Sequence, residues 1–156
     1  MSALTVPLSI TVALIPPSPA MLGKLVRASE FIRQFPQISI ATEHLIHGGM
    51  YARTIRLEPG VVIAGSVIRL ATTLIIHGDC AVIAGDERID FTGYNVLPGC
   101  AGRKQLFLTR GPVEMTMLFP TAAKTVEAAE NEIFAEADQL MSRKDDSRDT
   151  VTITGQ

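Results

Sequence analysis

The chain has 156 residues, 47% of them hydrophobic, no Trp, and a formal net charge of −2. That length suits one domain with its own core, and a near-neutral chain without a Lys/Arg cluster offers nucleic acid no electrostatic footprint. The mean hydropathy of +0.27 is high for a soluble monomer, and it fits either a densely packed β domain or an oligomer that buries apolar surface between chains.

Residues 1–17 read as an extended N-terminal arm. Leu4, Val6, Leu8, Ile10, Val12 and Leu14 alternate with smaller or more polar residues, which gives a strand one apolar face. Such a face packs either on its own domain or on a neighbouring subunit. The run is no secretory signal, because no Lys or Arg precedes Lys24 and Pro7, Pro16 and Pro17 interrupt it. It is also too short to span a membrane.

A helix is expected over 18–36. Ser18 caps it, Pro19 takes the first position where its missing N–H costs nothing, and Pro36 stops it. Leu22, Leu25, Val26, Ser29 and Ile32 form its packing stripe.

A β region is expected over 50–120. Short apolar runs alternate with Glu58-Pro59-Gly60, Gly65, His77-Gly78-Asp79, Gly85-Asp86, Gly93, Pro98-Gly99 and Arg110-Gly111-Pro112. Gly85-Asp86 is a hairpin signal between Ala81–Ala84 and Arg88–Phe91. Arg110-Gly111-Pro112 reads as the link between two paired strands, Gln105–Thr109 and Val113–Leu118, and His77 reads as a turn residue. Short strands with regular punctuation and no intervening helix imply a sandwich or barrel. A second helix, capped by Thr121 or Thr125, is expected over 121–143. The tail over 144–156 ends in the strand-like Val151-Thr152-Ile153-Thr154, which either docks, on a partner subunit for example, or frays.

Catalytic signals are weak. His44 and His47 stand close to Glu43, a possible metal set, but the spacing is not diagnostic and surface or edge-of-core histidines are the expectation. No Ser occupies a Gly-x-Ser-x-Gly elbow, and Gly48-Gly49 leads into a strand and not into a helix N-terminus. Asp86, Glu87 and Asp90 flank a hairpin and are expected to face solvent. Cys80 and Cys100 match no metal-binding spacing and read as buried free thiols, consistent with a reducing cytosol.

The order of these turns, with Leu97-Pro98-Gly99 and Arg103-Lys104 before the final strands, resembles the cupin superfamily. Gly49-x-Tyr51-Ala52-Arg53 leading into a Pro-Gly turn is similar to small cupin-like proteins of tailed bacteriophages. The resemblance implies a mainly β, single jelly-roll barrel with an N-terminal arm and helix and a C-terminal helix. It also implies metal ligands at positions where this chain has Ser66, Ile68, Thr72 and its neighbours, and Arg103. Imidazole and carboxylate are what a divalent cation needs, and Arg repels it.

The resulting expectation is a non-enzymatic, homo-oligomeric structural protein without cofactor, made in the bacterial host cytoplasm and placed in the virion. A capsid cement or decoration protein on the major capsid protein is its concrete form, with a neck or tail component behind it. No nucleic acid or membrane is expected as partner. Leu8, Ile10, Val12, Val151 and Ile153 are the expected contact residues. The alternative is a metal-dependent cupin enzyme, of isomerase or dioxygenase type, or a small-molecule-binding barrel, with Tyr51, Arg53, His77 and Arg103 at its mouth.

Overall fold

The structure is a computed structural model that describes residues 12–155. Leu8 and Ile10 lie outside the described residues. Ser18 caps helix α1 (Pro19–Ile32) by accepting the Met21 N–H, and Pro19 stands at its start. The helix ends before Pro36, with a turn at Arg33–Phe35 closing it. Leu25 and Ser29 are its buried residues, while Leu22 and Val26 of the expected stripe stay exposed.

Eight strands follow: β1 (Ala41–His47), β2 (Met50–Leu57), β3 (Val62–Ala64), β4 (Thr72–Ala84), β5 (Glu87–Phe91), β6 (Tyr94–Gly99), β7 (Leu106–Pro120) and, at the far end, β8 (Asp149–Thr154). Strands β4 and β7 change partners half-way along, and this divides the sheet into two leaves. In one leaf, Thr73–Gly78 of β4 and Val113–Leu118 of β7 pair with each other, β6 flanks β4, and β2, β1 and β8 extend beyond β7. In the other, Cys80–Ile83 pair with Leu106–Thr109, flanked by β5 and β3. Alternate residues from both leaves, including Leu74, Ile76 and Met115 from the first and Val82 and Phe107 from the second, meet in one core. This is a jelly-roll barrel, mainly β, with one N-terminal helix and short C-terminal helices.

Several expected breaks are absent. The segments Thr72–Ile76 and Ala81–Ala84 belong to one 13-residue strand, and His77 lies in its middle, paired with Tyr94 and Glu114. Likewise Gln105–Thr109 and Val113–Leu118 are not paired with each other, because β7 runs straight through Arg110-Gly111-Pro112. The cause is a bulge. Gly78 pairs with Val113 and Cys80 with Thr109, so Asp79 alone stands opposite those three residues. Pro112, which has no N–H to give, sits where no ladder bond is required. Gly78 has φ +135°, and a Cβ there would collide with the Pro112 carbonyl. The Gly85-Asp86 hairpin forms as read, with Ala84 opposite Glu87.

Val67–Leu70 is not a strand; only Ile68 bridges, to Arg103 and Phe134. The helix expected over 121–143 is broken into α2 (Val126–Ile133), a 3₁₀ turn at Ala137–Gln139 and α3 (Met141–Lys144). Its break satisfies the Val67–Arg69 backbone. Arg69 donates its N–H to Ile133 O, and Ala135 donates to Val67 O, which holds Phe134 extended. Thr125, not Thr121, caps α2 by accepting the Ala128 N–H.

The tail docks on its own chain. Strand β8 pairs parallel with β1, Thr42 to Asp149 through His47 to Thr154. It forms one edge of its leaf and β6 the other, where Leu14 bridges Gly99 and exchanges bonds with Pro98 O and the Cys100 N–H. No helix of the described residues is long and apolar enough to cross a membrane.

Candidate functional site

Between α1, the two leaves and the C-terminal segment lies a cavity of about 480 Å³. Much of its wall is apolar, with Ile55, Leu74, Phe107, Met115 and Met117 among the lining side chains. These project inward because they occupy alternate positions of β2, β4 and β7.

Arg103 lies at the floor of this cavity, 1% exposed. It follows β6, and its backbone carbonyl accepts the Ile68 N–H. Its guanidinium donates to Thr72 Oγ1 at 2.7 Å and to Cys100 O at 3.2 Å, and one Nη lies 3.7 Å from Met117 Sδ. Its Nε has no partner. Burial pulls its pKa down to about 10, which leaves the group charged at neutral pH. Room for it comes from Gly99, where a Cβ would lie 2.6 Å from Arg103 Cζ. Next to it, Lys104 donates to Gly65 O at 2.6 Å, and burial holds its pKa below the ordinary lysine value.

Arg53, also on the cavity wall, is managed differently. Its guanidinium lies 3.6 Å from the buried Glu130 carboxylate and donates to Ser142 Oγ at 2.8 Å. It also stacks over Phe134, 5.3 Å from the ring centre. Arg143 donates to the same carboxylate at 3.0 Å. This network fastens α2 and α3 onto the barrel, and neither Glu130 nor Arg143 was singled out as a site residue by sequence.

The positions at which the sequence resemblance implies metal ligands come together here. Ser66, Ile68 and Arg103 line the cavity, and Thr72 is bonded to Arg103. Hydroxyls, an alkyl chain and a guanidinium do not fit a divalent cation. Among the described residues no three His, Cys, Asp or Glu side chains gather where they could hold one. The possible set of Glu43, His44 and His47 is separated by strand alternation. His44 points inward and is buried, whereas Glu43 and His47 are exposed on the other face of β1.

Inward of β1, His44 Nδ1 meets Tyr51 Oη at 2.7 Å and His44 Nε2 meets Asp149 Oδ2 at 3.1 Å. Tyr51 therefore lies inside the protein and not at a mouth; burial raises its phenol pKa well above the ordinary value. His77 is exposed on the outer face against Tyr94. Of the four residues expected at a barrel mouth, only Arg53 and Arg103 line the cavity.

The remaining assigned residues fall as follows. Val12, Val151 and Ile153 are 37%, 56% and 43% exposed. Cys80 is buried, Cys100 half-buried, and both are free thiols. Asp86 accepts the Ser18 N–H, and Asp90 pairs with Arg88 and Arg110.

No protein-family model and no curated protein matches the chain. Several similar solved structures are described as cupins. A cupin superfamily protein from Desulfitobacterium hafniense shares 14% identity over 57% of this chain and 85% of its own, at a TM-score of 0.46. An RmlC-like cupin with a double-stranded β-helix fold from Methanocaldococcus jannaschii gives 16% over 56% and 86%, at 0.45. Salicylate 1,2-dioxygenase from Pseudoaminobacter salicylatoxidans gives 11% over 81% of this chain and 39% of its own, at 0.48. Likeness at this distance says nothing of activity. The strand pairing of the chain itself makes it a jelly-roll barrel.

Proposed function

We propose that the chain is a non-enzymatic structural protein that assembles with copies of itself, and that it belongs to the virion of a tailed bacteriophage. Its concrete form is a capsid cement protein seated on the major capsid protein, with a neck or tail position as the alternative, and it is made in the host cytoplasm. The observation that carries the assembly reading is the bare edge of β8. Monomeric proteins blunt such edges with Lys, Pro, a bulge or a covering segment. The opposite edge, β6, holds Pro98 and is bridged by Leu14. β8 reads Asp-Thr-Val-Thr-Ile-Thr, has no such device among the described residues, and leaves Val151 and Ile153 exposed.

A second apolar surface supports the same reading: Leu22, Val26, Phe31, Phe35 and Ile38 are exposed along α1 and the turn after it. The phage placement rests on the sequence resemblance through Gly49-x-Tyr51-Ala52-Arg53. The non-enzymatic reading rests on the unsuitable residues at the metal positions.

Light scattering on the full chain and on a Val151→Lys/Ile153→Lys variant tests the assembly. The expected result is an oligomer that the two lysines dissociate, with the fold kept. A monomer at micromolar concentration, or an oligomer indifferent to both changes, would overturn it. Mass spectrometry of purified phage particles tests the placement, with the chain expected at many copies per virion.

A further inference from the structure

The barrel cavity carries an excess of positive charge that the assembly reading does not use. The charged residues lining it are Arg33, Arg53, Arg103, Lys104 and Lys144 against a single carboxylate, Glu136. The chain as a whole has a net charge of −2, so this concentration is local. Arg53 is answered from behind by Glu130, and Arg33 pairs with Glu136 at 3.5 Å. Arg103 is answered by nothing anionic: a hydroxyl, a carbonyl and a thioether are its only partners among the described residues.

A buried cation without a counter-ion is costly unless something supplies one. Arg103 Nε has no acceptor, and neither has Nε2 of Gln105, which is 6% exposed and lines the same cavity. Arg53 Nε also lacks a hydrogen bond but has Glu130 3.6 Å away. The two donors without any anion near them sit buried behind the cavity wall, where an acceptor reaches them once a side chain over them moves. The thioether of Met117 now lies beside the guanidinium; it is a weak acceptor on a flexible chain, readily exchanged for a stronger one.

The rest of the wall is mixed, with Ser29, Thr42, Ser66 and Ser142 among its polar members, and its apolar part decides the ligand class. Ile55, Leu74, Phe107 and Met115 offer no polar partner and suit a hydrocarbon or aryl body. A compact dianion would leave those walls unused.

We propose that this cavity binds a small organic carboxylate with an apolar body, its carboxylate received by Arg103 as Met117 swings aside and by the Gln105 amide. The proposal stands apart from the assembly reading: an oligomer with an empty barrel, or a monomer with a filled one, would separate the two.

Calorimetric titration of the full chain with octanoate, benzoate, the matching neutral alcohols and inorganic phosphate tests it. At least one carboxylate should bind, more tightly than its alcohol by on the order of tenfold or more, the value of a charge-assisted hydrogen bond. In Arg103→Met, a swap of similar length that removes the buried charge, that preference should vanish while the melting curve confirms the fold. Inorganic phosphate should not compete. No binding by either carboxylate at millimolar concentration, equal binding of the alcohols, full competition by phosphate, or an undiminished preference in the folded Arg103→Met variant would each overturn the proposal. The comparison of carboxylates with alcohols uses the unmodified protein and holds even where the variant does not fold.

Discussion

A half-buried arginine, Arg53, and a fully buried one, Arg103, border the same cavity and are treated in opposite ways. Arg53 has a carboxylate, a hydroxyl and an aromatic ring around it, and its partner Glu130 is shared with Arg143. The Nε of each lacks a hydrogen bond, but that of Arg53 lies 3.6 Å from Glu130, whereas among the described residues no carboxylate pairs with Arg103. The first arrangement is closed upon itself, and its use is mechanical: it holds the C-terminal segment against the barrel. The second is open, and a charge left open in an apolar chamber is what a recognition site requires. Burial alone therefore does not say what a charge is for; the presence or absence of a counter-ion does.

The largest effect should come from breaking the closed network. Glu130→Ala leaves two guanidinium groups without their shared counter-ion, and the loss of a buried partner costs about 3–5 kcal/mol. The melting temperature should fall by roughly 6–20 °C for a chain of this size, with proteolysis beginning at α2 and α3. An unchanged melting temperature would mean that the network does not hold the segment.

A smaller effect is expected at the hinge between β1 and β8. His44→Leu removes the link from Tyr51 to Asp149 and leaves the Asp149 carboxylate short of a donor, a cost of about 1–3 kcal/mol. Hydrogen exchange should accelerate over Asp149–Thr154 while β2 and β7 keep their protection. Uniform acceleration would show that β8 is part of the main cooperative unit.

How much of this was legible beforehand divides along a physical line. Signals that act within a few residues read correctly: the Ser18-Pro19 cap, Gly60 after Pro59 with φ +78°, and the Gly85-Asp86 hairpin. Signals settled by distant partners did not. Gly78 and Pro112 each look like a strand end, yet they face one another across a single bulge, so both strands continue. The helix expected to Arg143 breaks because Val67–Arg69 needs hydrogen bonds that an extended Phe134 makes available, from Ala135 N–H and to Ile133 O. At the site, the sequence order placed Arg103 where a metal ligand would stand. It could not show that Glu130 would serve Arg53 and leave Arg103 alone, because that choice depends on where α2 lands. β1 also escaped notice, its inward His44 and Thr42 disguising a half-buried strand.

The smallest effect is acid-dependent. Asp86 accepts the Ser18 backbone N–H, which holds its carboxyl below the ordinary carboxylate range. A depressed folded pKa gives stability that is fully present above the unfolded value near about 4 and is lost as pH falls through the folded one. Asp86→Asn should therefore flatten the acid side of the melting-temperature profile below about pH 4 and change little at neutral pH. A steeper acid limb in the variant would reverse the assigned sign.

The contrast between the two arginines is tested most directly by titrating one apolar carboxylate, octanoate or benzoate, into Arg53→Met and Arg103→Met side by side, each confirmed folded by its melting curve. The expected result is binding retained in the first and lost in the second. Equal loss in both, or retention in both, would contradict the assignment of an open charge to Arg103 and a closed one to Arg53.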